Sequence, residues 1–198
     1  MKTKNIVISL FALFIMPGCA AMLVPETNDP IEKLKWAGEL FDRQERPLPA
    51  ERLINEAIEI CKNNNNQSCL GRAYLNYGFF FRSPSIRKWE KTYKESGFID
   101  KTATYENRLI KSKEYFEKAI ASFLQTNEYD ALTSAYLNLG FAYYFLGDHK
   151  AECEPYAKSL EYHLKNIEAN PNADVILPPG FSSYKEYLSV QQKRAGCL

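Results

Sequence analysis

Along most of the chain, apolar residues return every third or fourth position. Leu34, Ala37 and Phe41 form one such series, and Ala50, Ile54 and Ala57 form another. Tyr74, Tyr77 and Phe81 repeat the spacing, as do Phe116 and Ala119, then Tyr136, Leu139 and Tyr143. That period places each set on one face of a helix and leaves the intervening polar residues to water. Strand-like alternation is absent, so the pattern predicts an all-α domain over residues 31–198. Gly147-Asp148 reads as a turn, and Pro178-Pro179-Gly180 stops any helix before it. Pro155 would cost about 3 kcal/mol inside a helix, so it is expected in a first turn. Phe181, Tyr184, Tyr187 and Leu188 predict a last helix, with Ser182 or Ser183 as its cap.

The first residues break this pattern. Lys2 and Lys4 precede an uncharged apolar run from Ile6 to Met16, and Pro17 and Gly18 end it. A basic start, a short apolar stretch and small residues describe a secretory signal. The run is shorter than the about 20 apolar residues a spanning helix needs. Met16-Pro17-Gly18-Cys19 resembles the lipobox of bacterial lipoproteins. Gly18 and Cys19 match that pattern, Met16 is an apolar substitute, and Pro17 departs from it. The resemblance implies cleavage before Cys19, acylation of that residue with palmitate, and, with Ala20 in place of a retention Asp, attachment at the outer membrane of a Gram-negative cell. A soluble periplasmic protein is the alternative. The division is then a signal over 1–18, a tether over 19–30 with two prolines, and the helical domain over 31–198.

Two phrases nearly repeat, "AYLNYGFFF" from Ala73 and "AYLNLGFAYYF" from Ala135. Each resembles the first helix of a tetratricopeptide unit, with an aromatic residue, a Leu or Tyr three on, a Gly and a further aromatic. Three units can be laid down. The first uses Gly38 with Ala50, Ile54 and Ala57; the second uses Gly78 with Ser112, Phe116 and Ala119; the third uses Gly140 with Tyr156 and Ser159. Glu152 stands where the family has Ala, and the proline that closes each unit is missing. Glycine inside a helix costs about 1 kcal/mol against Ala, so three at equivalent positions imply close helix approach. The resemblance implies antiparallel helix-pair repeats, the second unit carrying an insertion, plus a C-terminal capping helix. It also implies a groove in which an Asn two before the Gly grips peptide backbone. Asn76 and Asn138 occupy that position, and the same register turns Lys35, Arg72, Phe79, Phe141 and Tyr144 toward the groove.

Composition narrows the function. A formal net charge of +1 gives no electrostatic case for nucleic acid. Of five cysteines, four remain once Cys19 carries lipid, an even number for an oxidising compartment. Cys61 and Cys69 flank a polar loop that a bridge between them would close, which leaves Cys153 with Cys197; two other pairings stay open. No metal-ligand spacing, phosphate loop or nucleophile motif occurs, and neither His149 nor His163 has a partner pattern for acid–base work. No cofactor, metal or catalytic activity is expected. The stretch from Arg82 to Arg108 is the insertion. It sets Trp89 and Tyr93 among Arg82, Arg87, Lys88, Lys91 and Lys94. These aromatics either contact a partner or fold back with Phe98 as a private core. The expected function is a lipid-anchored periplasmic scaffold or adaptor that binds another envelope protein. The alternative is an immunity protein that neutralises a toxic effector.

Overall fold

The computed structural model describes residues 26–172 and 177–197. The expected signal, Cys19 and most of the tether lie outside the described residues. Among the described residues the chain is all-α. Helix α1 (Pro30–Asp42) pairs with α2 (Pro47–Asn63), and α3 (Gln67–Arg82) pairs with α6 (Arg108–Thr126). Helix α7 (Tyr129–Leu146) pairs with α8 (Cys153–Ala169), and α9 (Tyr184–Ala195) covers α8. Each pair also packs on the next, α2 on α3 and α6 on α7, so the domain is an array of helix pairs with a terminal helix. The insertion lies between α3 and α6 and holds two short helices, α4 (Pro84–Lys88) and α5 (Glu90–Ser96).

Local sequence sets the boundaries. Asp29 accepts the Ile31 N–H at 2.8 Å with Pro30 at the first helical position, and Asn66 accepts the Cys69 N–H at 3.0 Å. Ser183 caps α9 by accepting the Glu186 N–H at 3.1 Å, while Glu186 accepts the Ser182 N–H at 2.9 Å. These caps satisfy donors a helix start leaves free. Gly147 ends α7 at φ +76°, where an L side chain would be strained. Pro155 sits in the first turn of α8 as expected.

The pairs close through rings laid on glycines. The Phe116 ring lies over Gly78, so that a Cβ there would sit 2.6 Å from Phe116 Cε1. Phe123 covers Gly71 in the same way, and Tyr156 covers Gly140. All three rings are completely buried. Gly38 differs from the expectation: nothing lies within 4 Å of where its Cβ would be. Its missing side chain opens space instead of admitting a neighbour.

Two buried carboxylates tie the remaining parts down. Glu51 of α2 is 2 % exposed and accepts from Tyr77 Oη at 2.7 Å and from the Ile99 N–H at 2.8 Å. Asp100 accepts from Tyr115 Oη at 3.0 Å. The insertion's return is thereby fastened to α2, α3 and α6. Glu152, the residue that departs from the tetratricopeptide pattern, is fully buried. It accepts from Tyr156 Oη at 3.0 Å and Arg194 Nη2 at 2.8 Å, and meets His149 Nδ1 at 2.7 Å. Disulfides Cys61–Cys69 and Cys153–Cys197, each with Cα atoms 5.5 Å apart, follow the sequence pairing. The second joins the end of α9 to the start of α8.

Replacing Gly140 by Leu drives side-chain atoms into the Tyr156 ring. Chemical denaturation should show a loss of about 1–3 kcal/mol or more; an unchanged midpoint would contradict the contact. Burial pushes the Glu51 carboxyl up to about 7, against the pull of its Tyr77 and Ile99 hydrogen bonds. A folded value above the unfolded one means the native state holds the extra proton between about pH 4.5 and 7. The Glu51 contribution to stability is therefore present in full below that window and lost as pH rises through 7. The loss is about 3 kcal/mol. Denaturant unfolding at pH 5 and pH 8 should show that Glu51→Gln removes this part of the slope; equal slopes in both proteins would refute it.

Candidate functional site

A cleft of about 780 Å³ opens where the C-terminal ends of α1, α3 and α7 meet the insertion and the start of α6. Gly38, Phe41 and Asp42 come from α1, and Asn76, Phe79 and Arg82 from α3. Ser83, Pro84 and Arg87 form the insertion wall, Arg108 and Leu109 the α6 wall, and Phe141 and Phe145 the α7 wall. The spacing explains the set. Asn76, Phe79 and Arg82 are three apart on α3, and Phe141 and Phe145 are four apart on α7, so each group lines one helix face.

Arg82 is the chemical centre. Its guanidinium carbon lies 5.1 Å from the Phe79 ring centroid, 5.1 Å from Phe116 and 5.9 Å from Phe145. Nη2 donates to Asn138 Oδ1, and Nη1 lies 3.5 Å from the Asn138 carbonyl oxygen. Asn138 in turn donates to the Ser134 carbonyl at 2.8 Å. Desolvation pulls the Arg82 guanidinium down to about 10, and Asp42 opposes that fall. Among the described residues no carboxylate lies within 4.0 Å of Arg82. Asp42 is exposed, and it is the one carboxylate among the cleft-lining residues.

The structure brings together part of the set expected from sequence. Asn76, Phe79 and Phe141 line the cleft. Asn138 is 8 % exposed and acts on the site through Arg82. Arg72 pairs with Glu128 at 2.7 Å and accepts from Asn76 Nδ2 through its carbonyl. Lys35 is exposed and is not among the lining residues. Tyr144 lies beside the cleft, 5.4 Å from Phe145, under the Arg194 guanidinium at 4.0 Å.

The insertion aromatics fold inward. Tyr93 is 1 % exposed and stacks on Phe98 at 4.2 Å, so it is core and has no surface for a partner. The Trp89 indole N–H donates to the Glu45 carbonyl at 3.0 Å, and Lys88 pairs with Glu45. Trp89 therefore bolts the insertion to the α1–α2 turn. The reason is apolar cover: the α3 rings Phe80 and Phe81 pack against Tyr93 and Phe98 of the insertion.

The groove register does not include Gly38, Arg82, Arg87, Arg108 or Phe145, and Arg82 and Arg87 figure only among the basic residues of the insertion. Stepping the groove register on from Phe79 by three and from Phe141 by four finds Arg82 and Phe145. Arg87 and Arg108 come from the two ends of the insertion, whose path no period encodes. Among the described residues no group of three or more His, Cys, Asp and Glu side chains is arranged to hold a metal. No described helix is long and apolar enough to cross a membrane. The arrangement is suited to gripping an anionic, partly apolar ligand: three arginines line a cleft that also holds aromatic rings, and the half-buried Arg82 lies against three rings. Comparison with known proteins finds no family model that matches the chain and no curated protein that matches it.

Proposed function

We propose that the chain is a lipid-anchored adaptor of the Gram-negative envelope, a tetratricopeptide-like body that docks another envelope protein in the cleft. The observation that carries this reading is the cleft itself. It is walled by α1, α3, α7, the insertion and the start of α6, and it holds the half-buried Arg82 beside the exposed Phe145 ring. A helix array needs its glycine-facing rings and its two carboxylate ties to stand. It does not need an unfilled space of this size beside Gly38. The lipobox-like Met16 to Cys19 and the two disulfides support an envelope location.

A photoreactive benzophenone side chain placed at Arg87 or Phe145, on the cleft rim, tests this in intact cells, with Glu59 on the exposed end of α2 as the control position. Irradiation should give discrete adducts with one protein from positions 87 and 145 and none from 59. The adducts should persist in the membrane fraction and move to the soluble fraction in Cys19→Ala. Adducts equally strong from all three positions, or none from the cleft, would overturn the docking reading. A membrane fraction indifferent to Cys19→Ala would overturn the anchor.

A further inference from the structure

Two arginines stack on aromatic rings along α7, and they are answered differently. Arg194 lies over Tyr144 at 4.0 Å and pairs with the buried Glu152 at 2.8 Å. Its charge is neutralised inside the protein. Arg82 lies over Phe79, Phe116 and Phe145, and its polar partner is the neutral amide of Asn138. Charges partly withdrawn from water gain from a counter-charge close by. Arg82 is half-buried, held in place by Asn138, fixed against rings and open to a cleft, with Asp42 acting on it from more than 4 Å away. The guanidinium therefore has room for an anion from outside.

The surroundings select the ligand further. Arg87 and Arg108 add positive charge at the walls, against Asp42 alone. A carboxylate matches a guanidinium fork with two parallel hydrogen bonds. The cleft's apolar flank continues outward: Phe145 is 53 % exposed, and Tyr144, whose ring lies 5.4 Å from it, is 38 % exposed. A small molecule enclosed in the cleft would leave these side chains in water. A length of polypeptide leaving the cleft would cover them. Gly38, with nothing within 4 Å of its absent Cβ, leaves the α1 side open to a backbone at close range.

We infer that the cleft receives a short acidic peptide segment of the docked protein, an Asp or Glu carboxylate seating on Arg82 beside an apolar side chain that packs on Phe145. This rests on the docking reading above and names its ligand.

The test is a displayed library of random heptapeptides panned on the immobilised full chain, on Arg82→Gln and on Gly38→Phe. Circular dichroism and unfolding midpoints first establish that both variants fold. Wild type should enrich peptides with Asp or Glu next to an aliphatic or aromatic residue. Synthetic Asn or Gln versions of these peptides should bind at least about thirtyfold more weakly, as should the acidic peptides to Arg82→Gln. Gly38→Phe, which fills the cleft and keeps Arg82, should bind neither version. Enriched peptides without acidic residues, blocked by Gly38→Phe, would overturn the carboxylate and leave the docking cleft standing. Peptides indifferent to Gly38→Phe, or no enrichment over bare support, would overturn both.

Discussion

The constraint on which this structure depends is the seating of an aromatic ring on a glycine. Helix axes approach to within 8–10 Å according to the side chains at their contact. At Gly71, Gly78 and Gly140 there is no side chain on one of the two helices, and Phe123, Phe116 and Tyr156 fill the vacancy. Each ring is thereby fixed in position and direction. Phe116 then supplies one face of the Arg82 stack, and Tyr156 supplies a donor to Glu152. The contacts that set helix spacing also set the chemistry at the groove.

Buried polar groups divide the labour. Glu51 binds the insertion's return and Glu152 binds the terminal helix, each taking its donors from different elements. Such groups destabilise unless satisfied, so they specify one arrangement of the parts they join. Ser159 works alongside Glu152, donating to the Thr133 carbonyl at 2.8 Å and meeting Tyr184 Oη at 2.6 Å. Once the insertion is fastened by Glu51 and by the Trp89–Glu45 contact, it becomes a fixed wall of the cleft. The insertion, for which the sequence leaves partner contact and a private core both open, thus forms a core and serves the cleft by holding Pro84 and Arg87 in place.

The helices were legible because their apolar period is continuous and their ends carry Asp29, Asn66, Ser183 and Gly147. The disulfide pairing was legible because Cys61 and Cys69 flank a short polar stretch, which the structure shows as the turn from α2 into α3, also held by the Asn66 cap. The groove register found Asn76, Phe79 and Phe141, since one helix face repeats by threes and fours. Lys35 of the same register lies outside the cleft, and Asn138 stands behind it, bonded to Arg82. Tyr93 and Trp89 show why composition is a weak guide in an insertion. Aromatic and basic residues mark interfaces and also mark a small core wrapped in solvated charge, and only the chain path separates the two. Gly38 illustrates a similar degeneracy: identical in register to Gly78, it faces space because no ring from α2 reaches it.

That contrast gives the most direct test of the account, in which occupied glycines build the array and the unoccupied one opens the cleft. Urea unfolding of Gly78→Ala and Gly38→Ala should move in opposite directions. Gly78→Ala should lose about 1–3 kcal/mol, and much of that loss should vanish in a chain that also carries Phe116→Leu. Gly38→Ala should gain up to about 1 kcal/mol from helix propensity alone. Equal shifts of the same sign at both positions, or no coupling between Gly78 and Phe116, would contradict it.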